Sequence, residues 1–156
     1  MSMDNITNLI GIAIRDTLKS DSTFLSIIGV TSGNAYKHIF FTRPIGESKP
    51  FDNPRLVITP MPSDMDKFRP SAFYVGEEVF QVSLWMNENP FDKPQKALDR
   101  IVSLFDQNTY AFTESGKIIN FGIYTCSGKF TYPDPDKPNT IKGDLVITLN
   151  IGGIKK

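Results

Sequence analysis

Thiol and imidazole are scarce in this 156-residue chain, which has one cysteine, Cys126, and one histidine, His38. A single thiol cannot close an intrachain disulfide, which fits synthesis in a reducing cytoplasm. One cysteine plus one histidine is also too few for a zinc site without help from carboxylates. A serine or cysteine nucleophile activated by imidazole would have to use His38, and its neighbours Lys37 and Ile39 carry no local signature of such an arrangement. Charge of one sign is missing too. The 17 basic residues balance 17 acidic ones, so no overall field gathers nucleic acid or anionic membrane, and little repulsion opposes self-association. No apolar run reaches the length of a membrane span, because Arg15 and Lys19 interrupt the N-terminal stretch. Met1 to Asn8 lacks the basic region of a signal peptide. The expectation is a soluble, single-domain protein over 1–156, large enough to bury roughly 68–70% of its unfolded surface.

Hydrophobic pattern is what the chain does have. Ile6, Leu9, Ile10, Ala13, Ile14, Thr17 and Leu18 recur at helical spacing, which predicts a first helix over about 4–20 with Asp4 or Asn5 as its N-cap. A short apolar helical piece follows, from Ser22 to a stop at Gly29. Ala35 to Phe41 reads as a short strand, and Arg43-Pro44 through Asn53-Pro54 as a turn-rich connection. Leu56 and Ile58 alternate with Val57 and Thr59 in a strand over 55–61, closed by Pro60 and Pro62. After a loop over 62–70 comes the strongest alternation, 73–86, with Phe80, Val82, Leu84 and Met86 on one face and Gln81 and Ser83 on the other. Ala97, Leu98, Ile101, Val102 and Phe105 then make the apolar stripe of a second long helix over 94–107, with Pro94 tolerated in its first turn. Two further strands are expected over 117–130 and 140–151. Tyr132 to Asn139, with prolines at 133, 135 and 138, forms a hairpin tip, since proline donates no ladder hydrogen bond. The order predicts an α+β domain: an antiparallel sheet of about four strands, two long helices packed on one face, and a projecting hairpin.

Little in these elements resembles reactive chemistry. Cys126 alternates along a strand beside Tyr124 and Thr125, as a small structural thiol does. Asp134, Asp136 and Asp144 lack the acidic spacing, central glycine and terminal glutamate of a calcium loop. Glu77 and Glu78 are adjacent in a strand and point to opposite faces, so they do not converge as catalytic carboxylates do. Glycines at 116, 122, 128, 143, 152 and 153 never form a phosphate cradle between strand and helix. Asn5-Ile6-Thr7 matches a glycosylation sequon by chance in a cytoplasmic helix, and Lys155-Lys156 is too short for a nucleic-acid arm. No catalytic, cofactor-binding or metal-binding residue is assigned. What stands out is a set of aromatics in loops and at element margins, where large rings favour protein contacts. Phe68, Phe73, Tyr74 and Tyr132 flank the two Pro-rich loops and are the interface candidates.

In order and texture the chain resembles the tail-terminator, or tail-completion, proteins of long-tailed bacteriophages. The residues that carry the likeness are the N-terminal amphipathic helix, the apolar piece ending at Gly29, and Tyr36 leading to Pro44. They continue with Asn53-Pro54-Arg55-Leu56-Val57-Ile58 entering a strand, Phe80-Gln81-Val82-Ser83-Leu84-Trp85, the Ala97-Leu98-Asp99-Arg100-Ile101-Val102 helix, and a closing strand pair. The loops at 62–70 and 132–139 have no counterpart in that pattern. The resemblance implies a ring of identical subunits, usually six, in the virion at the head-proximal end of the tail. Such a ring docks on the tail tube protein, stops its growth, presents a surface to the head connector or neck protein, and lets DNA pass through without gripping it. It implies no enzyme activity, no cofactor and no membrane. The rival readings are another neck or tail part, such as a head-tail adaptor or tube protein; a small enzyme or ligand-binding domain with Tyr36 and His38 in a cleft; and a nucleic-acid binder, which would need a basic surface that is absent here.

Overall fold

The computed structural model describes residues 6–42, 53–61, 73–87, 92–137 and 139–155. The expected N-cap at Asp4 or Asn5, most of the 43–54 connection and the 62–70 loop lie outside the described residues. Among the described residues, three α-helices, α1 (Ile6–Ser20), α2 (Ser22–Ile28) and α3 (Lys93–Phe105), accompany six strands. The strands are β1 (Ile39–Phe41), β2 (Arg55–Pro60), β3 (Phe73–Asn87), β4 (Thr109–Glu114), β5 (Lys117–Pro133) and β6 (Thr140–Lys155), in one sheet of order β1-β2-β3-β6-β5-β4. Every pairing is antiparallel except β1 with β2, which run parallel.

The helices cover one face. In α1, Ile6, Ile10, Ile14 and Leu18 are buried at four-residue spacing and meet β1 and β2. Gly11 is buried among them because the Phe41 ring lies where a β-carbon would be. In α3, Ala97, Leu98, Ile101 and Phe105 face β3, β5 and β6. There Gly143 of β6 admits the Leu98 side chain to within 3.0 Å of where its own β-carbon would stand. Against them the sheet presents Phe80, Val82 and Leu84 of β3 and Leu145, Ile147 and Leu149 of β6, all buried. Each such side chain contributes about 1.5–3 kcal/mol by leaving water. Aromatic edges close the two ends: Phe41 against Phe80 at 6.2 Å, and Phe105 against Tyr124 at 5.2 Å.

Between α1 and α3 sits α2, whose ends are both capped. Asp21 accepts the Phe24 amide at 2.7 Å. Gly29, at φ 74°, closes the other end as the Val30 and Gly29 amides donate to the Leu25 and Ser26 carbonyls, the glycine-terminated Schellman pattern. The Asp21 carboxylate also takes both Arg100 contacts, Nη2 at 2.8 Å and Nε at 3.0 Å, which ties α2 to α3.

The sheet differs from the expected four strands. Thr109–Glu114 is an additional edge strand, β4, whose Tyr110 and Phe112 pack into the core. It turns into β5 through Ser115 (φ 50°) and Gly116 (φ 77°), the paired left-handed residues that suit the twist of a hairpin. The segment read as a strand from Ala35 starts as a 3₁₀ turn, Ser32–Lys37, and only Ile39–Phe41 pairs. The last strands run further than expected, to Pro133 in β5 and Lys155 in β6. Tyr132 is therefore a strand residue, paired with Lys142.

Candidate functional site

Opposite the helices, the outer face of the sheet carries a polar cluster, and Arg55, Val57 and Ser83 are buried on it. Alternation sends Gln81, Ser83 and Trp85 of β3 and Lys142, Asp144, Val146 and Thr148 of β6 to this side. A one-residue bulge in β5 adds an unexpected pair. Tyr124 and Cys126 sit opposite Leu149 and Ile147 on the core side, but the register slips between Ser127 and Phe130, with Gly128 at φ 65°. The bulge reverses the side-chain parity of the strand, so Phe130 and Tyr132 emerge on the outer face opposite Asp144 and Lys142.

These residues make one connected cluster. The Tyr132 hydroxyl donates to Asp144 Oδ2 at 2.8 Å, Ser83 Oγ donates to Oδ1 at 2.8 Å, and Gln81 Nε2 donates to Oδ1 at 3.4 Å. Lys142 Nζ lies 5.1 Å from the centre of the Trp85 ring, 5.9 Å from that of Tyr132 and 3.8 Å from the Asp144 carboxylate. Desolvation, and then the hydrogen bond to Asp144, raise the Tyr132 phenol above its ordinary range. Beside the cluster is a groove of about 330 Å³ lined by Arg55, Val57, Thr59, Ser83 and Trp85 on the sheet and by Asp134, Asp136 and Lys137 of the β5–β6 tip. The tip thus lies over the sheet instead of standing clear of it as a projecting hairpin would. Arg55 is buried and stacks over Phe40 at 5.2 Å.

Further along β5, near its start, the outer face turns apolar. Ile118, Phe121 and Ile123 are 58%, 52% and 48% exposed. Their cross-strand partners on β4 are Thr113, Ala111 and Thr109, too small to shield them. A second exposed apolar pair, Leu9 and Ile12, lies on the solvent side of α1.

The residues singled out from sequence fall as follows. Tyr132 is half-buried within the outer-face cluster. Phe73 and Tyr74 open β3 opposite Lys155 and Ile154, while Tyr132 lies near the other end, where Trp85 pairs with Lys142. At about 3.4 Å per residue the two ends are roughly 35–40 Å apart, so these three do not form one patch on a subunit. Phe68 lies outside the described residues. His38 closes the 3₁₀ turn, and its Nδ1 donates to the Pro54 carbonyl at 2.7 Å. Cys126 is half-buried, and burial pushes its thiol up to about 11, with Asp106 adding to the shift. Asp134 accepts the Asp136 amide within its own turn at 2.9 Å while Asp144 is bound to Tyr132 and Ser83, so the three aspartates do not converge. Glu78 is buried and accepts from Thr7 of α1 at 2.9 Å. Among the described residues no three His, Cys, Asp or Glu side chains gather as a metal would require, and no helix is long and apolar enough to cross a membrane. Strand alternation alone does not reveal the apolar row on β5, because the register shift beside Phe112 is what places Ile118 on the same face as Phe121 and Ile123. Three large apolar side chains within six residues, Ile118 to Ile123, on an edge hairpin were the available signal.

No protein-family model matches the sequence, and no curated protein matches it. The fold is similar to a chain in the virion of a native gene transfer agent particle, with a TM-score of 0.60 and 11% sequence identity, covering 90% of this chain and 92% of that one. At that identity the likeness shows a shared fold.

Proposed function

We propose that this chain is a structural protein of a phage-like virion and acts as its tail terminator. In this reading, copies close into a ring, most simply a hexamer, at the head-proximal end of the tail tube. The ring ends tube growth, gives the head connector a surface to join, and leaves a passage for DNA. The observation that carries the reading is the fold shared with a virion chain over nearly the full length of both, and the sequence resemblance to tail terminators points the same way. The site chemistry is compatible with it. The outer face holds its charges in local pairs and offers exposed rings, a surface suited to contact more than to turnover. We propose no catalytic step, cofactor or metal for it.

Electron microscopy of particles made without this protein is the test. Loss of a terminator leaves tails of abnormal length, and restoring the protein returns them to one length. Complete tails of normal length left unattached to heads would assign it to head joining instead, and absence of any tube would assign it to the tube. Turnover of a small substrate by the isolated protein, abolished by His38→Ala, would replace the structural reading with an enzymatic one.

A further inference from the structure

Two of the exposed apolar surfaces among the described residues lie on opposite layers and toward opposite edges of the sheet, apart from the exposed Phe130 and Tyr36. The row Ile118, Phe121 and Ile123 is on the outer face of β5, next to one edge of the sheet. Leu9 and Ile12, one helical turn apart, are on α1, which covers β1 and β2 at the other edge and on the opposite layer. They cannot meet within one chain. We infer that successive copies join head to tail, the β5 row of one against the α1 pair of the next, which rests on the ring reading and says where its subunit contact is.

The occupant follows from area and position. The three β5 side chains present on the order of 300 Å² of apolar surface, at the lower end of the range for a monomer's largest patch, which is often functional. A standard contact takes about 800 Å² from each partner, so the row fills the apolar centre and leaves a polar rim around it. A two-fold pairing of β5 rows would cover one surface and leave the α1 pair in water. A heterologous contact covers both, and it must then close into a ring or run on as a filament. The chain's balanced charge adds no net repulsion between copies,. β4 favours the same side: it is the sheet's terminal strand, with small outward residues beside the row, so an approaching copy meets the row over them.

Sedimentation velocity on the full-length protein over a wide concentration range tests this, with Phe121→Asp disabling one surface and Ile12→Asp the other. Wild type is expected to form a closed species larger than a dimer. Each variant alone should associate at least about thirtyfold more weakly, the loss that marks a central contact residue. Mixed one to one, the variants should stop at a dimer, because each keeps one intact surface. Circular dichroism confirms that both fold, and the milder Phe121→Ser and Ile12→Ser replace any variant that does not. Wild type that stays monomeric, either variant assembling as wild type does, or a mixture that stays monomeric would overturn the contact. Rings that persist in both variants would overturn it while leaving the terminator reading intact. Rings that depend on both surfaces but leave tail length unchanged when the protein is withheld would do the reverse.

Discussion

One carboxylate, Asp21, performs two tasks that substitution can separate. Its Oδ2 accepts both the Phe24 amide that starts α2 and Arg100 Nε of α3, while Oδ1 accepts Arg100 Nη2. Removing an N-cap costs about 1 kcal/mol. The Arg100 pair is 32% and 14% exposed at its two side chains, so solvent screening leaves it worth about 0.5–1 kcal/mol. Asp21→Ala should therefore cost roughly 1.5–2 kcal/mol, which for a domain of this size lowers the melting temperature by about 3–8 °C. Asp21→Asn keeps the cap, since asparagine caps as well as aspartate, and should lose only the pair, about 1–4 °C. Acid supplies the sign test. The hydrogen bond from Arg100 holds the Asp21 carboxyl below its ordinary value of 3.8. Its contribution is therefore complete above that value and is lost as pH falls through the lower, folded one. Thermal unfolding followed by circular dichroism should show wild type and Asp21→Asn separated at pH 6 and converging in strong acid. An Asn variant as damaged as the Ala variant, or a gap undiminished at pH 2, would refute the division of roles.

Gly11→Ala should destabilise by about 1–3 kcal/mol in urea unfolding, because the Phe41 ring occupies the β-carbon position and overpacking outweighs the gain in helix propensity,. Gly128→Val should cost about 1–2 kcal/mol through its left-handed backbone, with Tyr132 fluorescence reporting any loss of the bulge,. Tyr132→Phe should cost about 1 kcal/mol, as Asp144 loses one of its donors,. Because burial raises the Cys126 thiol to about 11, little of it is thiolate near neutral pH. Its reaction with a disulfide reagent at pH 8 should be far slower in the folded protein than in denaturant; equal rates would show the thiol to be exposed.

The elements with long, uninterrupted periodicity were legible in the sequence. The stripes of α1 and α3 and the alternation of β3 and β6 each repeat over several residues with one face buried, so a single pattern determines them. The missed strand, β4, had a readable signal in Tyr110 and Phe112 flanking Ala111 ahead of Ser115-Gly116, but six residues beside a helix end are easily absorbed into a loop. The bulge at Gly128 was harder to foresee. Alternation carried past it places Phe130 and Tyr132 on the core side, and only the partner strand shows where the extra residue falls. The outer-face cluster depends on that shift, so Tyr132 could be noted as an aromatic near a proline-rich turn but not as the partner of Asp144. The parallel pairing of β1 with β2 likewise joins segments whose connection carries no periodic signal.

The long pairing of β3 with β6, continuous from Asn87 opposite Thr140 to Val75 opposite Gly152, also sets a mechanical direction. A pull along these two strands loads all their rungs in shear at once, whereas a pull across them peels one rung after another. A subunit oriented with this pair along the line of tension would hold like a lap joint, and one turned through a right angle would open like a zip.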